Sequence, residues 1–440
     1  MNKDLLEGSV TKSLILFTIP LVLGNILQQF YNIADSFIVS HFISSFALGA
    51  VGSAFSLMVF LTSIILGLCL GSGVLFSMQF GANREHDMRN SVFMSFIGIG
   101  ILTIVLEILC LIFLKDILVF LNIPNGLFTD TYQYVRMILL GLFFTFLYNF
   151  FSTLLRSLGN SKTPLYFLAI CSLINIVLDY IFIVYFHLGI SGAAFATVIA
   201  QAISGIGLMV YVCKYYSYVI PKREDCYYNK RIFIKIKDYS LMTCLQQSVM
   251  NFGILMIQGL VNSFGVEAMA AFSICVKIDA FAYMPVQDFG NAFSTFIAMN
   301  SGAKKTDRIK EGIKQSFLLS GLFSLLISIL VYIFARDLLI VFIDSSNINM
   351  INIGIQYLHI EGMFYIFIGW LFLLYGYYRG IGKAWMSFVL TVISLGTRVC
   401  VSYSFARRYG IDIIWWSIVL GWVLADLTGM IYYIKNKDRA

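Results

Sequence analysis

"FGANREHDMRNSV", residues 80–92, and "SGAKKTDRIKEGI", residues 301–313, decide how this chain is built. Each follows a long apolar run, and together they align Gly81 with Gly302 at an offset of 221 residues. Three further matches keep nearly that offset in the same order. "RSLGNSK" from Arg156 pairs with "RGIGKAW" from Arg379, aligning Gly159 with Gly382, 223 apart. "HLGISGAAFAT" and "RYGIDIIWWSI" align Gly189 with Gly410, back at 221, and "LQQ" at Leu27 recurs at Leu245. Chance supplies one such match; four in order argue for two homologous halves.

The material between these turns is membrane material. The chain is 59% hydrophobic and 12% charged, with a mean hydropathy of +0.85, whereas soluble domains carry about 25% charged residues. Apolar runs of the roughly 20 residues that cross a bilayer recur along the whole length. They predict an all-α polytopic membrane protein with twelve transmembrane helices at 14–40, 46–80, 91–114, 133–156, 164–186, 190–213, 238–263, 268–300, 313–335, 354–379, 384–406 and 411–434. Residues 1–213 then form an N-terminal lobe, 214–237 a cytoplasmic linker and 238–440 a C-terminal lobe. Because six spans make each half, both halves enter from the same side, a parallel repeat about an axis along the membrane normal. Lys and Arg concentrate in alternate connections, from Lys3, Lys12, Arg84 and Arg89 through the linker to Lys435 and Lys437. By the positive-inside rule both termini are cytoplasmic, and the excess of positive charge is a topology signal, not a nucleic-acid surface. No cleavable signal is evident, since the polar start leads into an apolar run long enough to span. The eight cysteines form no CxxC pair and read as small core residues.

Within the first span, Asn25, Gln28, Asn32 and Asp35 step by three, four and three, which lines them along one helix face. In the fifth, Asn175 and Asp179 are four apart and share a face. Both spans run outward, so the two carboxylates fall in the outer half of the membrane, and Thr197 on the inward-running sixth span lies at similar depth. A charge deep in a bilayer costs about 2.5–3.5 kcal/mol, so each asks for a partner or a task. Two acids, an amide and a hydroxyl offer hard oxygen ligands for a small cation and would equally suit protons; the bland alternative is a hydrogen-bonded cluster tying helices together. The second half has no matching acids, because the 223 offset puts Arg398 at Asn175 and Ser402 at Asp179. Arg398 either pairs with a carbonyl or acid, or shapes a cavity's potential. Lys277 and Asp288, three turns apart on the eighth span, serve a local pair or a cavity equally well. Pro20 and Pro285 remove helix hydrogen bonds, and a bend at Pro20 would move Asp35. The run Gly67 to Gly73 suits close helix packing. Glu107, Glu361 and Asp426 read as headgroup-level carboxylates near helix ends.

Taken together, the two six-span lobes, the Gly-Ala turns, "RSLGNSKTP", Asp35, "NIVLD" and "GAAFATV" resemble the multidrug and toxic compound extrusion (MATE) family over nearly the whole chain. The resemblance implies a multidrug exporter driven by inward flow of Na+ or H+, with no other cofactor. It implies a coupling site at Asp35, Asn175, Asp179 and Thr197, with Asn149 as a further match and Pro20 as the bending proline. Residues 244–254, "CLQQSVMNFGI", hold Asn251 and no carboxylate, unlike a bacterial subgroup with acids in its seventh and tenth helices, so a second cation site stays open. The implied partners are small-molecule drugs or dyes and membrane lipid, with no nucleic acid, and the implied state is a monomer in the cell membrane. Export of a lipid-linked saccharide or another endogenous metabolite is the alternative, though the acidic N-terminal lobe does not suit a pyrophosphate. An enzyme is not expected: HExxH, GxSxG and P-loop motifs are absent from the sequence and the four histidines are dispersed.

Overall fold

The computed structural model describes residues 5–121 and 123–436. The first half runs through α1 (Val10–Phe42), α2 (Ser45–Gly81), α3 (Glu85–Ile112), the short α4 (Leu114–Phe120), α5 (Asn125–Leu139), α6 (Leu142–Ser157), α7 (Lys162–Tyr180) and α8 (Gly189–Tyr215). The second runs through α9 (Lys230–Asn262), α10 (Val266–Gly302), α11 (Thr306–Ile340), α12 (Ile348–Gly362), α13 (Tyr365–Gly380), α14 (Ala384–Tyr409) and α15 (Asp412–Asn436). Ten of these helices are long and apolar enough to cross a membrane singly, and two bent pairs, α5 with α6 at 46° and α12 with α13 at 52°, bring the spans to twelve. The protein is thus an all-α polytopic membrane protein of two six-span lobes. Leu, Ile and Phe side chains such as Phe30, Ile101, Leu173 and Leu326 face outward, as they must where the solvent is lipid.

Two spans differ from their expected form. The fourth and tenth, expected as single helices over 133–156 and 354–379, are each broken. The fourth starts at Asn125 and bends at Leu140 and Gly141; the tenth starts at Ile348 and bends at Met363 and Phe364. At Gly141 an added Cβ would lie 2.7 Å from Val198 Cγ2, so the absent side chain lets α8 pass close to the bend. The bends recur at the 223 offset, Gly141 with Phe364, and so does the backbone elsewhere. Asn83 and Lys304 are left-handed counterparts 221 apart, as are Gly189 and Gly410, while Gly159 and Gly382 are so 223 apart. The hydrogen bonds Ala82 N–H to Met78, Asn83 to Phe80 and Arg84 to Gln79 reappear as Ala303 to Met299, Lys304 to Ser301 and Lys305 to Asn300. Helix pairing repeats too, α2 against α6 as α10 against α13, and α7 against α8 as α14 against α15.

The chain forms two compact units. One is Leu16–Cys244; the other is residues 5–15 with 245–436. In the first unit, Val39, Ala50, Leu118, Val135, Leu139 and Ala193 make a buried core at one end. The glycine run of α2 does what its composition suggests: Gly67 and Gly71 touch the backbone of α9 at Cys244 and Ser240 so closely that a Cβ would overlap it. Ser72 and Ser240 hydroxyls meet there at 2.9 Å. In the second unit, the buried serines 316, 320, 324 and 328 recur every four residues along α11, and Gly369 of α13 sits on two of them, the small-residue packing that apolar solvent favours. None of the eight cysteines is in a disulfide; Cys213, Cys226 and Cys400 are exposed, so the expectation of core cysteines fails for these three.

Candidate functional site

Within the first unit α1, α5, α7 and α8 bring six oxygen-bearing side chains together. Asp35 and Asp179 are buried, at 7% and 0% exposure, and their carboxyl groups are within hydrogen-bonding reach of each other. The Asn175 amide lies between Asp179 and Thr197. With its nitrogen toward Asp179 Oδ2 at 2.9 Å, its oxygen faces the Thr197 hydroxyl at 3.2 Å, which satisfies both neighbours. Helical spacing puts Asn175 and Asp179 on one face of α7, and α8 packed against α7 supplies Thr197. Directly after Asp179 the span widens into a π-helical turn, Ile181–Tyr185, a distortion common at functional positions.

Tyr31, one turn before Asp35 on α1, hydrogen-bonds the Thr197 side chain and interacts electrostatically with both carboxylates; Tyr134 of α5 does the latter as well. Neither tyrosine was foreseen. The i,i+4 spacing to Asp35 marks Tyr31, but nothing local marks Tyr134. One oxygen of each acid, Asp35 Oδ1 and Asp179 Oδ1, is buried with no hydrogen-bond partner. Two carboxylates this close repel unless a cation or a proton lies between them. The oxygen donors fit a small hard cation, Na+ as well as H+, although among the described residues no group of three His, Cys, Asp or Glu side chains forms.

The other expected site residues stand apart. Asn149, half-buried, donates to the Thr145 carbonyl of its own helix at 2.8 Å. Gln28 is exposed, Asn32 half-buried and Pro20 buried within α1. In the second unit, Lys277 is exposed while Asp288 is buried.

Arg398 faces an acidic neighbourhood that the sequence reading underestimated. Asp279 accepts hydrogen bonds from the Tyr357 hydroxyl at 2.5 Å and from the Tyr365 hydroxyl. Glu361 and Arg398 are in electrostatic contact with it. Glu361 is 6% exposed, not a headgroup carboxylate, because the tenth span begins at Ile348 and residue 361 falls at its bend. Asp426 likewise lies midway along α15 and is buried. Where the first half has Asp179, the second has Ser402, whose hydroxyl meets that of Ser417 at 2.7 Å.

These features define a class: a twelve-span membrane protein of two six-span repeats, with a carboxylate pair buried in the first. The MatE family model matches residues 20–181 and 240–404. The chain is 28% identical to the probable multidrug resistance protein YpnP of Bacillus subtilis (strain 168) over 440 residues, covering 99% of this chain and 98% of that one. It is 23% identical to the multidrug export protein MepA of Staphylococcus aureus (strain MSSA476), covering 98% and 95%. A solved structure of a multidrug resistance MATE family transporter of the MOP superfamily, in an outward-facing conformation, superposes with a TM-score of 0.91 at 22% identity, over 98% of this chain and 97% of that one. The chain belongs to the MatE family, a family of transporters and not of enzymes.

Proposed function

We propose that the protein exports amphipathic, often cationic, drugs or dyes across the cell membrane in exchange for inward-moving Na+ or H+. The observation that carries this reading is the buried carboxylate pair Asp35 and Asp179, with unpartnered oxygens beside the Asn175 amide and the Thr197 hydroxyl. An ion arriving from outside neutralises the pair, and the change of charge favours one conformation, while the drug favours the other; coupling needs each ligand to distinguish the two states. Asp35 and Asp179 hold the ion, Asn175 and Thr197 complete its shell, and Tyr31 and Tyr134 orient the carboxylates. The matches at Asn149, Gln28 and Asn32 belong to the polar wall leading to the site, and Pro20 is the bend of α1. Residues 1–213 and 238–440 act as the lobes and 214–237 as the cytoplasmic linker, with both termini cytoplasmic and the monomer as the working unit. The naming of relatives as multidrug resistance and export proteins supports the substrate class. One charge crossing 100 mV releases about 2.3 kcal/mol and a tenfold ion gradient about 1.4 kcal/mol, enough to concentrate a neutral drug several hundredfold.

The test is efflux of a fluorescent cationic dye from proteoliposomes under separately imposed sodium and proton gradients. Wild type responds to at least one gradient, and Asp35→Asn and Asp179→Asn to neither. Gradient-driven efflux that survives in Asp35→Asn overturns the assignment.

A further inference from the structure

The turns α2–α3 and α10–α11 are repeat counterparts, and each grips a piece of chain that leads into the first helix of the other repeat. At α10–α11 the gripped piece is residues 5–8. Asn300 Nδ2 donates to the Leu5 carbonyl at 3.1 Å and Lys305 Nζ to that of Leu6 at 2.7 Å. Arg308 donates through Nε to Leu5 at 3.2 Å, through one terminal nitrogen to Gly8 at 2.6 Å and through the other to Glu7 at 2.9 Å. Four consecutive carbonyls are thus held, and Leu5, the first of them, and Val10, just beyond the last, are 2% and 1% exposed.

At α2–α3 the gripped piece is 222–227. Asn90 Nδ2 donates to the carbonyls of Asp225 and Tyr227, each at 2.8 Å. Arg89 Nε meets Asp225 Oδ2 at 2.7 Å, the Lys222 N–H reaches the same oxygen at 2.9 Å, and His86 lies 3.4 Å from Oδ1. Asn90 and Asp225 are fully buried. The gripping side chains are not repeated: at the 221 offset Arg308 aligns with Asp87, and Asn90 with Glu311. The turn and its cargo recur while the chemistry differs, as expected if the grip itself is what is required.

The compact units divide accordingly. Residues 5–15, the start of α1, belong with 245–436, and the chain up to Cys244, the start of α9, belongs with the first unit. A rearrangement between the conformations of the transport cycle therefore loads α1 between Gly8 and Pro20 and α9 near Cys244, unless the grips open. From this reciprocal arrangement we infer that the two grips are paired latches that open and close together as the protein changes conformation. Each pins the start of a helix that continues into the other unit, so a change of conformation that displaces both helices strains both grips at once. The inference rests on the two-conformation export proposed above, but not on which ion drives it.

Hydrogen exchange of the full-length protein in lipid nanodiscs tests it. Asn300→Ala with Arg308→Ala raises exchange at residues 5–10 at least tenfold. It also raises exchange severalfold at 217–229, although no contact of that segment has been altered. Asp225→Asn does the converse. If each variant loosens only its own segment, or if the double variant leaves 5–10 protected, the paired latch is wrong. Arg308→Lys, which keeps the charge and one donor group, gives the same pattern at smaller amplitude and serves if the double variant does not fold. Loss of dye efflux in Asp35→Asn alongside uncoupled exchange would retain the transport reading and reject the latches; coupled exchange alongside intact efflux would retain the latches and reject the ion site at Asp35.

Discussion

Gly71→Ala isolates the contact on which the α2–α9 pairing depends. A Cβ built at Gly71 lies 2.4 Å from the Tyr239 carbonyl oxygen and 2.5 Å from Ser240 Cα, both backbone atoms that cannot rotate away. Since non-bonded carbons settle at about 3.5–4.0 Å, the helices must part by about 1 Å. Overpacking of this kind costs about 1–3 kcal/mol. The same displacement breaks the 2.9 Å bonds that the Ser240 hydroxyl donates to the Leu68 carbonyl and accepts from the Ser72 hydroxyl, each worth about 0.6 kcal/mol between membrane helices. Against this, alanine gains up to about 1 kcal/mol of helix propensity, leaving a net loss of about 1–3 kcal/mol. Gly98→Ala on α3 is the control, because its Cβ would meet nothing within 4 Å and it collects the propensity alone. Thermal denaturation in detergent, followed by loss of the monodisperse peak in size-exclusion chromatography, should place Gly71→Ala below wild type and Gly98→Ala at or above it. Equal stability of the two variants would refute the close-packing argument.

Other outcomes follow from the sites. Arg398→Ala strands the buried Asp279 and Glu361 without their cation and should lower stability by about 2 kcal/mol, less than for a fully buried pair because Arg398 is half-buried. Adding Glu361→Gln should restore part of that loss in the same melting assay, and a double variant no better than the single would deny the coupling. Thr197→Val keeps the shape but removes the hydroxyl beside Asn175, so half-maximal dye efflux should need a severalfold higher driving-ion concentration with little change in maximal rate. In the linker, burial pushes the Asp225 carboxyl up, but the Lys222 N–H and the Arg89 guanidinium outweigh it and hold the group below the usual carboxylate value. Its contribution to stability is therefore complete above about pH 4 and is lost as pH falls through the lowered folded value. Proteolysis of the 217–229 segment should thus be flat from pH 8 to 5 and accelerate only in stronger acid, whereas Asp225→Asn should be cleaved readily at every pH.

Much of the fold was legible because apolar length, loop charge and repeated turns are local properties. The left-handed backbone at Asn83, Lys304, Gly159 and Gly382 falls where the paired motifs stand. The helix-face argument selected Asp35, Asn175, Asp179 and Thr197, and these do come together, since α7 and α8 are sequence neighbours that pack antiparallel. Glu361 was misjudged because hydropathy cannot register a bend: moving the start of the span back to Ile348 carries the residue from a helix end to its middle. Tyr134 and the partners of Arg398 were illegible because they approach from helices distant in sequence, with no spacing rule to connect them.

By itself, then, the sequence determined a two-repeat, twelve-span architecture and one acidic face, since both follow from the solvent in which each residue must lie and from helical periodicity. Only the tertiary structure decided that the acids form a touching pair, that the second half encloses Asp279 and Glu361 against Arg398, and that the leading segments of α1 and α9 are gripped by each other's repeat. Those outcomes depend on which helix faces meet, a matter of packing among distant segments that no stretch of chain specifies alone.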